Sequence, residues 1–197
     1  MPSSLSDLEY IAFDVETTGL SPDDCEIVEF GAVRFTADGT EVGRFQQLVN
    51  PRCIIPGHVS RIHGITNQMV VGQPVLDEVL PDFLAFLGRR PALMMAHNAS
   101  FDLGFVGAAI RRTKCRKVPS HPIVDTLAFA RARLPNLRKH KLPDLRQHFR
   151  IKTPATHRAL FDSLVLKEVF LKLAQRQPEV TTLEDLFQMT PPRKLSR

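Results

Sequence analysis

Asp14 and Glu16 stand two apart in Tyr10-Ile11-Ala12-Phe13-Asp14-Val15-Glu16, at the end of an apolar alternation. In an extended strand successive side chains point to opposite faces, so this spacing sets both carboxylates on one side. Two like charges side by side repel unless a proton or a cation lies between them, so such a pair at a strand end suits a hard divalent ion. Two solvated carboxylates are the ordinary alternative. A second acidic element is Ala96-His97-Asn98-Ala99-Ser100-Phe101-Asp102, where an apolar run enters a polar loop and Asp102 opens a helix. The helix macrodipole alone would favour a carboxylate there. The third is His157-Arg158-Ala159-Leu160-Phe161-Asp162. Five helical residues turn through about 500°, leaving the two side chains about 140° apart around the axis. His157 and Asp162 can therefore share a site only if the histidine lies at the frayed start or in the preceding loop, a placement that Pro154 and Thr156 support.

The elements that must position these groups follow from periodicity. The first strand ends in Thr-Thr-Gly and Ser-Pro-Asp-Asp turn chemistry. Residues 27–36 and 41–49 are two more β-rich runs joined by Ala37-Asp38-Gly39-Thr40, a connection of the kind that closes an antiparallel hairpin. Val75, Val79, Phe83, Leu84, Phe86 and Leu87 recur at helical spacing between Pro74 and Gly88. A short strand over 92–96, a helix over 101–112, a brief strand over 123–125 and a helix over 126–134 follow. The last long helix spans about 158–176, with Leu160, Leu164, Val165, Val169, Phe170 and Leu173 as its apolar stripe. A meander of strands followed by strand–helix alternation predicts an α/β fold: a mixed sheet covered by helices on both faces. Phe129, Phe149 and Phe170 lie on helical stripes and read as core.

A length of 197 residues with 43% hydrophobic residues fits one domain with a core that needs no disulfide or structural metal. No apolar run approaches the roughly 18 to 20 residues that cross a bilayer, and Met1–Tyr10 lacks a basic segment followed by an apolar one. The expectation is a soluble, unexported, cytoplasmic protein without a membrane partner. Cys25, Cys53 and Cys115 form no CxxC pair and are expected to be reduced packing residues or bystanders. Charge is uneven. Residues 1–110 hold 6 Lys+Arg against 14 Asp+Glu, whereas residues 111–152 hold 13 against 2. The run Arg111, Arg112, Lys114, Arg116 and Lys117 reads either as a solvated face or as a footprint for a polyanion, here nucleic-acid backbone.

Together the three acidic elements resemble the DEDDh class of 3′-to-5′ exonucleases. Residues 13–20 (FDVETTGL), 62–66 (IHGIT), 96–102 (AHNASFD), 144–149 (DLRQHF) and 157–160 (HRAL) look like its members, in order. The resemblance covers about residues 9–176, with 177–197 as a tail, and extends to the epsilon proofreading subunit of bacterial DNA polymerase III, exonuclease X and RNase T. It implies an RNase H-like fold and two divalent ions, Mg²⁺ or Mn²⁺, held by Asp14, Glu16, Asp102 and Asp162. Asp14 would bridge both ions, Glu16 and Asp162 would hold the one that activates water, and Asp102 the one at the leaving oxygen. His157 would take the proton; an imidazole with an ordinary pKa near 6.5 suits a base at neutral pH.

By the same resemblance Thr17 and Thr18 would contact the last nucleotide, Leu20 would wedge beside its base, and His63 would touch base or sugar. Asn98 and Phe101 would support the pocket, with His97 close by. For Leu20 the alternative is core packing, and for His63 a loop histidine bonded to backbone. His58, His121, His140 and His148 lack partners at metal-ligand spacing and read as surface or packing residues. The expected partner is a nucleic acid with a free 3′ end, single-stranded or frayed DNA first and RNA second, since two-metal chemistry does not itself select the sugar. An accessory protein that keeps the fold and turns over little is the reading from another class. In the tail, Leu183, Leu186 and Phe187 would face one side of a short helix. It either packs back on the domain or, resembling a sliding-clamp peptide without its leading Gln, contacts a clamp or polymerase.

Overall fold

The structure is a computed structural model that describes residues 4–88, 92–115, 118–154, 157–176 and 180–195. Glu9–Thr17 (β1), Ile27–Thr36 (β2) and Glu41–Leu48 (β3) form the expected antiparallel meander. Gly57–His63 (α1), Asn67–Val70 (α2) and Leu76–Leu87 (α3) lead to Ala92–Ala96 (β4). Ser100–Thr113 (α4), Ile123–Asp125 (β5), Thr126–Arg133 (α5), Leu142–His148 (α6), Ala159–Ala174 (α7) and Leu183–Met189 (α8) complete the chain. Strand order is β3-β2-β1-β4-β5, with β4 parallel to β1 and β5 parallel to β4. This is the mixed, RNase H-like sheet that the sequence predicts.

Alternation along β1 sorts the core into two layers. Ile11, Phe13 and Val15 join α3 and α4 on one face, where Phe83, Leu87, Phe105 and Val106 are buried. Tyr10 and Ala12 join the other face with Phe129, Val165, Val169 and Phe170. Asp14 and Glu16 therefore point toward the layer that contains α7. Phe149 packs against that layer too, as expected of all three stripe phenylalanines.

One glycine sets how closely α7 approaches. A Cβ on Gly31 of β2 would collide with the backbone of Ala159 and Leu160 at the start of α7. Ser163 Oγ lies 3.1 Å from the Gly31 carbonyl and 2.8 Å from that of Ala159, tying the first turn of α7 to the strand. Gly31 is the register partner of Asp14, so the helix descends opposite the first carboxylate.

Periodicity does not predict α1, α2 and α6, because segments of 4 to 7 residues are too short to show a stripe. The tail resolves in favour of packing. Leu186 is 1% exposed, and Leu183 and Phe187 lie against the same layer. Leu5 N–H donates to the Thr181 carbonyl at 2.8 Å, and Arg193 pairs with Ile123 on the edge strand β5. The Leu-Glu-Asp-Leu-Phe stretch is thus a helix that packs on the domain through Leu186. Among the described residues no helix is long and apolar enough to cross a membrane.

Candidate active site

Asp14, Glu16 and Asp162 each offer a carboxylate oxygen, and these oxygens all lie within 4.8 Å of one another. The first two come from the end of β1 and the third from the first turn of α7. Asp102 approaches from the first turn of α4, which packs on the opposite face, and its Oδ1 accepts the Val15 N–H at 3.2 Å. That bond fixes Asp102 beside the backbone between the other two carboxylates.

The cluster is electrostatically loaded. Burial pushes Asp14 well above the usual carboxylate range, with Asp102, Glu16 and Asp162 adding repulsion. Burial, then Asp162 and Glu29, raise Glu16 to about 9. Asp102 is raised to about 7 by burial, against the Val15 N–H that favours its charged form. Burial also raises Asp162, while His157 opposes the rise. His157 is exposed in the loop before α7 at φ 43°, a left-handed conformation uncommon outside glycine. The histidine thus lies outside the helix, as its 140° offset from Asp162 requires; Thr156 falls outside the described residues.

A fifth acid carries no motif in the sequence. Glu29 is fully buried on β2, directly opposite Glu16 in the strand register. Like charges facing each other across a strand pair are destabilising. Arg158 answers them: Nε donates to Glu29 Oε2 at 3.0 Å and Nη2 to Oε1 at 2.6 Å. Oε2 also accepts the Ala159 N–H at 3.0 Å, and Oε1 accepts from Gln46 at 2.9 Å. Glu29 thereby clamps the two residues that follow His157. A lone glutamate inside the apolar run Ile27-Val28-Glu29-Phe30 is the signal that could have found it.

The expected substrate residues divide. Leu20 is 84% exposed, which sets aside core packing and leaves it free to act as a wedge. Thr17 Oγ1 donates to the Gly19 carbonyl at 2.6 Å, and Thr18 Oγ1 accepts the Glu26 N–H at 2.9 Å. Both hydroxyls thus shape the loop that presents Leu20. His63 is buried, its Nδ1 accepts the Ile65 N–H at 3.0 Å, and burial lowers its pKa against a backbone interaction with Thr17. Phe101 packs against Phe105 in a tilted arrangement, at 5.0 Å between centroids. Asn98 is exposed at φ 67°, held by its N–H to Asp125 Oδ1 at 3.2 Å. His97 is held within the protein. Its Nδ1 pairs with Thr126 Oγ1 at 3.0 Å and its Nε2 with the His140 carbonyl at 2.8 Å, so both ring nitrogens are engaged inside the protein and it braces the loop that carries Asn98. His121 and His140 bond to backbone carbonyls, as packing histidines should.

The basic run is not one face. Arg112 Nη1 donates to Glu26 at 2.9 Å and lines a cavity with Asp24 and Asp77, while Arg111 lines a different cavity. Lys114 caps α4 in a left-handed conformation, and Arg116 and Lys117 lie outside the described residues.

An acidic cluster at a strand end, a loop histidine beside it and a mixed five-stranded sheet define a nuclease of this fold. A family model described as exonuclease (RNase_T) matches residues 11–170, and the chain belongs to that family of 3′–5′ exonucleases. It is similar to the DNA polymerase III subunit epsilon of Treponema pallidum, 40% identical over 164 residues that are 82% of this chain and 74% of the relative. The epsilon subunit of Aquifex aeolicus is 33% identical over 89% of this chain and 85% of its own length. The PolC-type DNA polymerase III of Clostridium perfringens is 37% identical over 91% of this chain, which spans 12% of that relative's length. Among solved structures, exonuclease X in complex with 5′-overhanging duplex DNA superimposes with a TM-score of 0.69 at 27% identity, covering 92% of this chain and 98% of that one.

Proposed function

We propose that the chain hydrolyses the terminal phosphodiester of single-stranded or frayed DNA 3′ ends with the help of two divalent ions, releasing nucleoside 5′-monophosphates. The supporting observation is the convergence of Asp14, Glu16 and Asp162 within 4.8 Å, with three raised carboxyl pKa values that only protons or cations relieve. An all-carboxylate donor set fits Mg²⁺ or Mn²⁺, which prefer hard oxygen ligands. Asp14, Glu16, Asp102 and Asp162 would hold such ions, which when bound supply charge neutralisation at the phosphoryl group and a more acidic water.

The protein's own groups do the rest. His157, exposed beside Asp162, accepts the proton of the attacking water. The Glu29–Arg158 clamp holds the backbone after His157 and sets a cation beside Glu16. Leu20 separates the last base from its neighbour while the Thr17–Thr18 loop and Asn98 border the sugar and phosphate. Residues 9–176 carry this activity. DNA is favoured as substrate by the relatives named as DNA polymerase III epsilon subunits and by exonuclease X with its DNA. Incubating 5′-labelled deoxy- and ribo-oligonucleotides with Mg²⁺ or Mn²⁺ tests this. A ladder from the 3′ end of the deoxy strand is expected; cutting of the ribo strand alone would make the protein an exoribonuclease, and no cutting of either would leave an accessory role.

A further inference from the structure

Two cavities flank α4, and their charges differ. The one that takes Arg112 and Arg52 also takes Asp24, Glu26 and Asp77, and Arg112 is already paired with Glu26. The other, of about 540 Å³, collects Arg111 with Arg193 and Lys194 from the tail, with Asp23 in its lining and Asp125 paired to Arg193. Its volume falls in the range of about 300–1,000 Å³ typical of ligand sites. Pro22, two residues beyond the exposed Leu20, and Ser100, two residues before Asp102, line the same cavity. The cavity thus runs along α4 from its first turn, the turn that also carries Asp102, and takes in the loop that follows Leu20.

The tail that brings the two cations is fixed in place. Arg193 N–H donates to the Ile123 carbonyl at 2.9 Å, and Ile123 N–H returns the bond at 3.1 Å. Arg193 Nη2 lies 3.4 Å from Asp125 Oδ2, the other oxygen of which accepts the Asn98 N–H. The cavity and the substrate-side loop thus share one anchor.

Building on the exonuclease reading, we infer that Arg111, Arg193 and Lys194 form a backbone subsite that grips a phosphodiester of the incoming strand a few nucleotides upstream of the scissile bond. The ligand is a nucleic-acid backbone, read by charge and not by base. Short substrates end before they reach it, so the subsite acts on affinity for long strands and leaves the chemical step alone.

The test compares wild type with Arg111→Ala/Lys194→Ala and with Lys194→Glu, in binding of fluorescent dT12 and dT3 by anisotropy at several salt concentrations without divalent ions. Turnover of thymidine 5′-p-nitrophenyl phosphate with Mn²⁺ reports an intact active site. The double variant should bind dT12 about tenfold more weakly and flatten the slope of log K against log salt by about 1.4, since each neutralised phosphate accounts for about 0.7 on a single strand. Binding of dT3 and ester turnover should stay at wild-type levels, and Lys194→Glu, at an exposed position, should shift dT12 the same way. Unchanged dT12 affinity and salt slope in both variants would overturn the subsite. A wild-type protein that grips dT12 through these cations yet removes no 3′ nucleotide would instead overturn the exonuclease reading.

Discussion

The carboxylate cluster and the basic cavity are neighbours built on opposite plans. The cluster's acids come from a strand buried on both faces and from the first turns of two packed helices, and Gly31, Ser163, Val15 and Glu29 set their backbone positions. The cavity borrows long side chains from the end of α4 and from the tail. The proposed reaction at phosphorus needs groups placed within fractions of an ångström, which rigid elements can supply. Attraction of a polyanion falls off slowly with distance, so the proposed backbone subsite needs only long cationic side chains. Damage to the first region should therefore abolish turnover, whereas damage to the second should change only affinity.

Asp14→Ala is the largest break. It should remove Mn²⁺ binding in calorimetry and turnover together, beyond the about 10⁴-fold upper range of a lost general base, with no recovery at high pH. An Asp14→Ala protein that keeps both its metals and its turnover would refute the assignment. His157→Ala comes next. It should keep metal and DNA binding, slow by about 10²- to 10⁴-fold, and regain part of its rate as hydroxide rises. Wild-type speed in that variant would remove His157 from the reaction.

Glu29→Gln should be felt in stability and turnover. It leaves Arg158 without its counter-charge, and breaking a buried pair from one side costs about 3–5 kcal/mol; the low end applies because Arg158 reaches solvent. The expected signature is a lower Tm and a kcat that falls further than KM rises. A change in KM alone would mean that the clamp does not position His157.

The loaded cluster also predicts a pH effect on the metal-free protein. Folding raises Glu16 from 4.5 to about 9 and Asp102 from 3.8 to about 7. The folded state then holds protons that the unfolded chain releases, so this stability is full below about pH 4 and drains as pH climbs through 7 and 9. Tm should fall over that window, and Mg²⁺ or Mn²⁺ should raise it more at about pH 8 than at about pH 5, because the ions replace the protons. A metal-induced shift that is equal at both pH values would contradict the raised pKa values. Smallest of all should be Arg112→Ala, which breaks a surface ion pair worth about 0.2–1 kcal/mol and leaves dT12 binding intact. A loss of dT12 affinity as large as that of the Arg111/Lys194 variant would erase the contrast between the two cavities.

The candidate site is written in local spacing. Asp14, Glu16, Asp102, His157 and Asp162 are legible because each sits in a short phrase whose pattern already dictates a strand end, a helix start or a pre-helical loop. The mixed sheet follows likewise from strand and helix periods long enough to count. Relations between distant segments are another matter, and packing alone establishes them. Glu29 meets Arg158 across 129 positions. Successive arginines, Arg111 and Arg112, turn about 100° apart on their helix and reach cavities of different charge. His97 finds its partners on elements that pack only once the sheet is closed. Leu186 buries itself where the sequence also allows a linear motif, and the same docking carries Arg193 and Lys194 to α4. Local spacing fixes which way a side chain points along its own element, but its neighbour is chosen by how separate elements pack, and no short-range pattern encodes that choice.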